Sequence, residues 1–128
     1  MEIVRYVYIN LGKKMNFDIG YTFGNKKQRE ELYYRPITDK ELSKNLETRK
    51  AICKDLAYLV VRILSEFGIE AKVEQSPDYY QSLHVYNSIT LKDGRKFSAD
   101  LEEDLEYIQS GSKTRYFGRV EEQGKPVR

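Results

Sequence analysis

The sequence predicts one α+β domain in which helices come first and a small antiparallel sheet follows. Apolar residues recur at helical spacing up to Gly68, segments that alternate between apolar and polar residues come after it, and an Asp-Gly pair joins two of these segments. A chain of 128 residues with 40% hydrophobic and 33% charged residues is suited to a single buried core. We divide the domain into a helical and loop part over 1–50, a core over 51–120 and a tail over 121–128.

Helical spacing defines the first element, an amphipathic helix over residues 2–12, for which Gly12 is a natural stop. Residues 13–36 have no sustained period, so we expect a loop there, with a short helix around 27–32. An irregular connection of this length is either functional or conceals a further element.

Two more helices are expected before the sheet. Thr38 and Glu41 have the capping-box spacing, which predicts a short helix over 39–46. Residues 52–67 are apolar on most of a helical circumference, which is typical of a buried helix. We expect this helix, which carries Cys53 near its start, to pack on the sheet.

Alternating residues predict three strands, over 69–74, 83–91 and 96–100. The turn Asp93-Gly94 between the last two is a strong hairpin signal. Pairing outward from this turn places position 100 near Asn87.

The remainder is expected to form a short acidic helix over 101–108 and a strand at 116–120, followed by the charged tail.

Composition excludes several classes of function. The net charge of +2 gives no signal for nucleic-acid binding, and no apolar run approaches the roughly 18 residues of a membrane span. The start of the chain lacks a signal-peptide pattern, so we expect a cytoplasmic protein, or one exported by a route that reads no such signal. One cysteine cannot form an internal disulfide, and no Cys/His cluster has metal-ligand spacing, so neither metal nor cofactor is expected. The oligomeric state cannot be read from the sequence.

Thiol, imidazole and carboxylate side chains occur in an order suited to nucleophilic catalysis. Cys53 heads the buried helix, His84 lies in the second predicted strand and Asp100 ends the third; the chain has no other cysteine or histidine. A helix amino terminus and a nearby imidazolium both favour the thiolate form, which is the nucleophile. A carboxylate bonded to the far ring nitrogen fixes the imidazole tautomer. The pattern therefore predicts a Cys-His-Asp triad.

Each of the three residues also has a structural interpretation. A single cysteine on an apolar helix is usually part of the core, and a single histidine in a strand is usually structural. Asp100 directly precedes an acidic helix, so it fits the role of a helix cap. The coincidence of all three at a helix start and an adjacent hairpin is what favours catalysis.

The order of these elements resembles the transglutaminase-like core, a permuted papain-like architecture. The family motif is roughly Arg-x-Gly-x-Cys-x-Asp-x-Ala, then Leu-x-x-x-Gly-Ile, His-x-Trp-Asn, Asp-Gly and Asp. The matching residues are Arg49, Cys53, Asp55, Ala57, Leu64, Gly68, Ile69, His84, Asn87, Asp93, Gly94 and Asp100. The segment Met15-Asn16-Phe17-Asp18 is similar to a Tyr-Asp segment that commonly precedes this core. The chain departs from the motif where Ala51 replaces Gly, Val85-Tyr86 replaces Ala-Trp, and Leu101 replaces a Pro after the final Asp.

The resemblance implies that Cys53 is the nucleophile, His84 the general base and acid, and Asp100 the orienting carboxylate. The expected substrate is a protein or peptide amide, which would be converted through a Cys53 thioester. Release by water makes a peptidase or glutamine deamidase, and release by a lysine amine makes a transglutaminase. A bacterial effector or toxin is a context that the family allows.

Aromatic residues flank both halves of the predicted triad. Tyr79, Tyr80 and Gln81 precede the His84 strand, and Tyr86 follows within it; we take these four as candidate substrate contacts.

The pair Tyr33-Tyr34 is a further candidate for the groove, although tyrosines also cover core edges in a chain without tryptophan. Asn45 and Gln81 are candidates for a second oxyanion donor. The alternative to an enzyme is a non-catalytic protein-interaction domain that retains the fold.

Overall fold

The computed structural model describes residues 2–17, 25–75, 85–110, 119–122 and 125–127. The helices are α1 (Glu2–Lys14), α2 (Lys26–Tyr34), α3 (Asp39–Thr48), α4 (Cys53–Glu66) and α5 (Leu101–Gln109). The strands are β1 (Asn16–Phe17), β2 (Lys50–Ala51), β3 (Glu70–Gln75), β4 (Val85–Thr90), β5 (Lys96–Ala99), β6 (Arg119–Glu122) and β7 (Lys125–Val127). The predicted α+β class and the antiparallel sheet are confirmed.

Within the described ranges, the larger sheet has five antiparallel strands in the order β3-β4-β5-β6-β7, so each strand lies beside its predecessor in the chain. Helix α4 packs on β3 and β4 and also contacts α1, α3 and α5, while α1 and α5 pack on each other. The cysteine-bearing helix is therefore the central element between the sheet and the other helices.

The core forms where one face of α4 meets the sheet and the α1–α5 pair. Its fully buried members on α4 are Leu56, Leu59, Val60 and Leu64, which recur at helical spacing as the sequence predicts. Opposite them lie Ile89 of β4 and apolar residues of α1 and β5. Burying one such leucine contributes about 1.5–3 kcal/mol, so this contact fixes α4 on the sheet.

A polar pair crosses the α1–α5 contact within this core. The Tyr8 hydroxyl donates a hydrogen bond to the Asp104 carboxylate, and both side chains are buried. The Gln109 amide donates to the backbone oxygens of Gly12 and Met15, at 3.1 and 2.6 Å, which satisfies carbonyls at the end of α1.

Gly12 was expected to end α1, but the helix continues to Lys14. Gly12 instead lies within α1, where its lack of a side chain allows α5 to approach closely. A Cβ added at this position would lie 2.5 Å from Ile108 Cδ1 and 2.8 Å from Ile108 Cγ2.

We predict that Gly12→Ala lowers the free energy of unfolding by about 1–3 kcal/mol, because this clash outweighs the gain in helix propensity of up to about 1 kcal/mol. Urea unfolding of Gly12→Ala, Ile108→Ala and the double variant tests it: the double should be less destabilised than the sum of the singles. Simple additivity would contradict the contact.

The segment 13–36, expected to be mostly loop, contains α2 and β1. The short helix predicted around 27–32 is confirmed and is longer, spanning Lys26–Tyr34. Asn25 and Gln28 form a capping box, with Asn25 Oδ1 accepting from the Gln28 N–H at 2.8 Å and Gln28 Oε1 accepting from the Asn25 N–H at 2.9 Å.

A two-stranded parallel sheet, which the sequence analysis missed, lies directly before Cys53. Asn16 pairs with Lys50 and Phe17 with Ala51. Helix α3 ends at Thr48 and is capped by Arg49, whose left-handed φ of 61° turns the chain into β2. Ala51 therefore continues as an ordinary strand residue at the position where the family motif has glycine, and the turn is made two residues earlier.

The β4–β5 hairpin is confirmed, but its register differs by one residue from the expected pairing. Asn87 lies opposite Ala99, not near position 100. The Leu91 N–H donates to the Arg95 carbonyl at 2.9 Å, so the loop has three residues, with Gly94 at a φ of 90°. Three-residue hairpin loops usually have a left-handed residue at their third position. The extra loop residue shifts every pair of the hairpin by one residue relative to the pairing expected for a two-residue turn.

The carboxylate of Asp93 is part of this turn. It accepts from the Arg95 backbone N–H at 3.0 Å, and this bond holds the pKa of Asp93 below its ordinary value. The carboxylate is exposed to solvent, so its effect is confined to the loop.

Strand pairing extends into the segment that the sequence analysis assigned to the tail. Strand β6 spans 119–122 rather than ending at 120, and β7 pairs with it antiparallel through Glu122 and Lys125. The predicted strand residues 116–118 lie outside the described residues.

Candidate active site around Cys53

Cys53 is the first residue of α4, as predicted. Ile52 precedes it in extended conformation, with φ −97° and ψ 176°, and its carbonyl accepts the first helical hydrogen bond from the Leu56 N–H at 3.0 Å. Backbone N–H groups in the first turn of a helix point away from its body, and the helix dipole places about half a positive charge there. The thiol therefore lies at the position where a helix favours negative charge.

The Cys53 side chain is buried, with 3% of its surface exposed. It belongs to a small cluster, separate from the main core, with Tyr33 of α2, Ala57 of α4 and Val85 of β4; Val73 of β3 packs against it. We call this the thiol cluster. It brings α2 and the sheet together at the start of α4.

Asp55 lies in the same first turn and is 1% exposed. One oxygen, Oδ2, accepts from the Ile52 N–H at 3.0 Å, and the other, Oδ1, is paired with the Arg35 guanidinium. Arg35 follows α2 and also donates to the Leu32 carbonyl, while Glu41 of α3 lies 3.8 Å from its Nε. The ion pair therefore joins the chain after α2 to the start of α4.

Tyr33 and Tyr34 have different roles, although they are adjacent. Tyr33 is 8% exposed and packs in the thiol cluster, and its carbonyl accepts from Lys54 Nζ at 2.7 Å. The Lys54 ammonium also lies 5.2 Å from the centre of the Tyr33 ring, within the range of a cation–π contact. Tyr34 stacks edge-on against Tyr33 and is 67% exposed, so only Tyr34 offers a surface for a substrate.

Asn87 connects α4 with the sheet. Its Nδ2 donates to the Ala57 carbonyl at 3.0 Å and to the Lys72 carbonyl of β3 at 3.2 Å, and the residue is 1% exposed. Its Oδ1 is buried, and no partner for it lies among the described residues. Because Ala57 is one helical turn after Cys53, this amide holds the first turns of α4 against β3 and β4.

Asp100 lies at the open end of the β4–β5 hairpin, away from the turn. It follows the last residue of β5, and its carbonyl accepts from the Asp104 N–H at 3.0 Å, so it occupies the N-cap position of α5. The cap interpretation of Asp100 is thus consistent with the backbone. Val85, the first residue of β4, lies at the same end of the hairpin, because Asn87 pairs with Ala99.

Among the predicted substrate contacts, only Tyr86 lies in the described part of the chain. It is half-buried in β4 and pairs with Glu74 of β3. His84, Tyr79, Tyr80 and Gln81 lie outside the described residues.

Asn45, one candidate for the second oxyanion donor, lies in α3. Its Nδ2 donates to the Lys50 carbonyl at 3.0 Å, which ties α3 to β2 just before Cys53. Its position therefore stabilises the approach to α4.

Arg35 was not among the residues predicted for this site. Nothing in the spacing of residues 35 and 55 marks them as partners, because their contact depends on how α2 docks on α4. The available signal was Asp55 itself, since a carboxylate within an apolar helix needs a cationic or hydrogen-bonding partner when it is buried.

Two further properties concern the described residues as a group. They contain no group of three or more His, Cys, Asp or Glu side chains that could hold a metal ion. No helix within the described ranges has the length and apolar character needed to cross a membrane.

Comparisons with protein-family models, curated proteins and solved structures found no match for this chain.

Proposed function

We propose that this protein is a cysteine-dependent amide hydrolase or acyltransferase with a transglutaminase-like, papain-like core. Cys53 is the nucleophile, His84 the general base and acid, and Asp100 the carboxylate that orients the imidazole. The observation that carries the proposal is that Cys53, the first residue of α4, shares a buried cluster with Val85, the residue to which His84 is bonded.

Chain connectivity supports the meeting of the three groups. Val85, the residue covalently bonded to His84, lies in the thiol cluster with Cys53. Asp100 is bonded in the same way to Ala99, which pairs with Asn87 at the same end of the hairpin. The proposal requires the His84 imidazole to reach the side of the sheet on which Val85 contacts Cys53.

The chemistry follows from these roles. The Cys53 thiolate attacks the carbonyl carbon of a protein or peptide amide, and the first-turn N–H groups of α4 stabilise the oxyanion. The C–N bond breaks, the amine leaves with a proton from the His84 imidazolium, and an acyl-thioester remains on Cys53. Water, deprotonated by His84, releases the acid and restores the thiolate; a lysine amine in place of water gives an isopeptide.

The competing proposal is a non-catalytic interaction domain. It is favoured by one observation, the 3% exposure of Cys53, which is what an inert core cysteine shows.

The rate of thiol alkylation distinguishes the two proposals. Because the chain has a single cysteine, iodoacetamide reports on Cys53 alone. We predict that the folded protein is alkylated at about pH 6 at least tenfold faster than the urea-unfolded protein, after the rate of the latter is corrected for the effect of urea on the reagent. The reason is that an activated cysteine is a thiolate at that pH, whereas an ordinary cysteine is a thiol. His84→Gln should remove the advantage. Alkylation no faster than in the unfolded chain would contradict the enzyme.

Mass spectrometry of candidate proteins incubated with the enzyme and an amine probe identifies the reaction. Conversion of a glutamine amide to an acid indicates deamidation, a probe adduct indicates transfer, and new termini indicate proteolysis. Absence of all three products, with an unreactive thiol, would favour the interaction domain.

A further inference from the structure

We propose that the Arg35–Asp55 ion pair sets the charge around Cys53, with Arg35 as a positioning residue that cancels the carboxylate charge in the first turn of α4. This inference deepens the proposed role of Cys53 as a nucleophile and rests on it. It assigns a function to one buried and one half-buried side chain that the triad does not use.

The geometry of Asp55 creates the need for a cation. Its carboxylate stabilises the start of α4 by accepting from the Ile52 N–H at 3.0 Å, while only 1% of its surface is exposed. A carboxylate buried to this degree is costly unless it is paired, and Arg35 supplies the partner. The Arg35 side chain is 21% exposed, so water screens this pair less than it screens a surface pair.

The same carboxylate affects the thiol, because Asp55 lies only two residues after Cys53. A negative charge in the first turn of α4 opposes the helix dipole and disfavours a thiolate, whereas a positive charge favours it. With Arg35 in place the two charges nearly cancel at the thiol, and the helix dipole remains effective. Arg35 thus acts on Cys53 through Asp55 and does not need to contact the substrate.

Other charged or titratable groups at this end of α4 must be considered. Among the described residues they are Lys54 of α4, the Tyr33 phenol of α2 and Glu41 of α3, which approaches Arg35 at 3.8 Å; β4 contributes the apolar Val85. His84, the proposed base, is bonded to Val85. The series leaves all of these residues in place. Arg35→Met also removes the cation beside Glu41, so the effect of the Asp55 charge is measured between proteins that have the same residue at position 35.

The test is a set of four proteins: the natural sequence, Arg35→Met, Asp55→Asn and the double variant. Asn keeps an oxygen that accepts from Ile52, and Met keeps much of the apolar volume of Arg. Thiolate formation is followed by ultraviolet absorbance between about pH 5 and pH 9, with Cys53→Ser as the blank for each protein. This readout needs no substrate and no access of a reagent to the buried thiol.

The two single variants should shift in opposite directions. Asp55→Asn leaves the cation alone and should lower the midpoint of thiolate formation, by about a tenfold change in proton concentration. Arg35→Met leaves the carboxylate alone and should raise it, while the double variant should return close to the natural protein. If the ion pair has a purely structural role, the midpoint of thiolate formation should shift in the same direction in both single variants, and that result would overturn the proposal. An unchanged midpoint in Asp55→Asn would also overturn it.

Folding is checked on each variant by circular dichroism and thermal unfolding. If Arg35→Met does not fold, Asp55→Asn and the double variant still test the proposal. The double variant should reverse the shift in midpoint that Asp55→Asn produces. Arg35→Lys, which keeps the charge, should retain the natural midpoint. An unreactive Cys53 in the natural protein would end the proposed function, yet the direction of the Asp55→Asn shift would still report on the ion pair.

Discussion

Replacement of Cys53 by alanine should abolish amide turnover, because no other thiol in the chain can form the acyl intermediate. His84→Gln should lower turnover by about 10²–10⁴-fold, the usual contribution of a general acid–base group. Asp100→Asn should lower it by up to about 10⁴-fold, since the amide can hold the imidazole in the wrong tautomer. Initial rates with the substrate identified by mass spectrometry measure all three effects.

Asp100 needs a control that separates catalysis from helix capping, because it occupies the N-cap position of α5. Asn and Ser are both good N-cap residues, so Asp100→Asn and Asp100→Ser should keep nearly the natural stability. Loss of turnover in both variants at unchanged stability assigns Asp100 to the site. Natural turnover in both variants would show that Asp100 is only a cap.

The elements that the sequence predicted well are those whose signal is local. The apolar positions of α4 recur at helical spacing, so the position of Cys53 at a buried helix start follows from residues 52–67 alone. The capping-box spacing of Thr38 and Glu41 and the Asp93-Gly94 turn are likewise short-range patterns. Helix α3, with the Thr38 hydroxyl accepting from the Glu41 N–H, and the β4–β5 hairpin are both present.

The elements that the sequence analysis missed depend on contacts between distant parts of the chain. The pairing of β1 with β2 involves only two residues on each side, Asn16–Phe17 and Lys50–Ala51, too few for a period to emerge. The partner of Asp55 is Arg35, which reaches it only because α2 docks on α4. The hairpin register shifted because Gly94 can adopt a left-handed conformation, which allows a third loop residue, and an Asp-Gly pair alone does not distinguish loop lengths.

These two kinds of information meet in the candidate site. Residue types and their order predicted the triad, whereas the thiol cluster and the ion pair beside it emerged from packing. The proposed triad follows from one sequence pattern. The balance of charges that we propose around the Cys53 thiol also depends on Arg35, a residue outside that pattern.

Asn87→Ala should lower the free energy of unfolding by about 2–3 kcal/mol, the second largest effect that we expect. The substitution removes two hydrogen bonds of a buried amide, to the Ala57 and Lys72 carbonyls, and leaves a small cavity between α4 and the sheet. Urea unfolding measures the loss. Ser88→Ala on the same strand is the matched control: its hydroxyl donates to Glu74 Oε1 at 3.0 Å in a half-buried position, so the expected loss is below about 1 kcal/mol.

The isosteric change Asn87→Asp tests the donor role of the amide directly. It keeps the volume but replaces the N–H donors with a carboxyl that faces two carbonyl oxygens. Burial disfavours the charged form, so the pKa of the introduced carboxyl should lie above that of the unfolded chain, and stability should fall as the pH rises from about 4 to 7. Equal destabilisation at both pH values would show that the amide fills space and does not act as a donor.

The same variants connect the fold to the chemistry. Asn87 lies in β4 and holds Ala57, one turn after Cys53, so it fixes the spacing between α4, which carries the proposed nucleophile, and β4, which begins directly after the proposed base. At a temperature where Asn87→Ala is fully folded, turnover should still fall by at least about tenfold, while Ser88→Ala should retain it. A folded Asn87→Ala variant with natural turnover would show that the thiol cluster alone aligns α4 with β4, and the role of Asn87 would then be limited to stability.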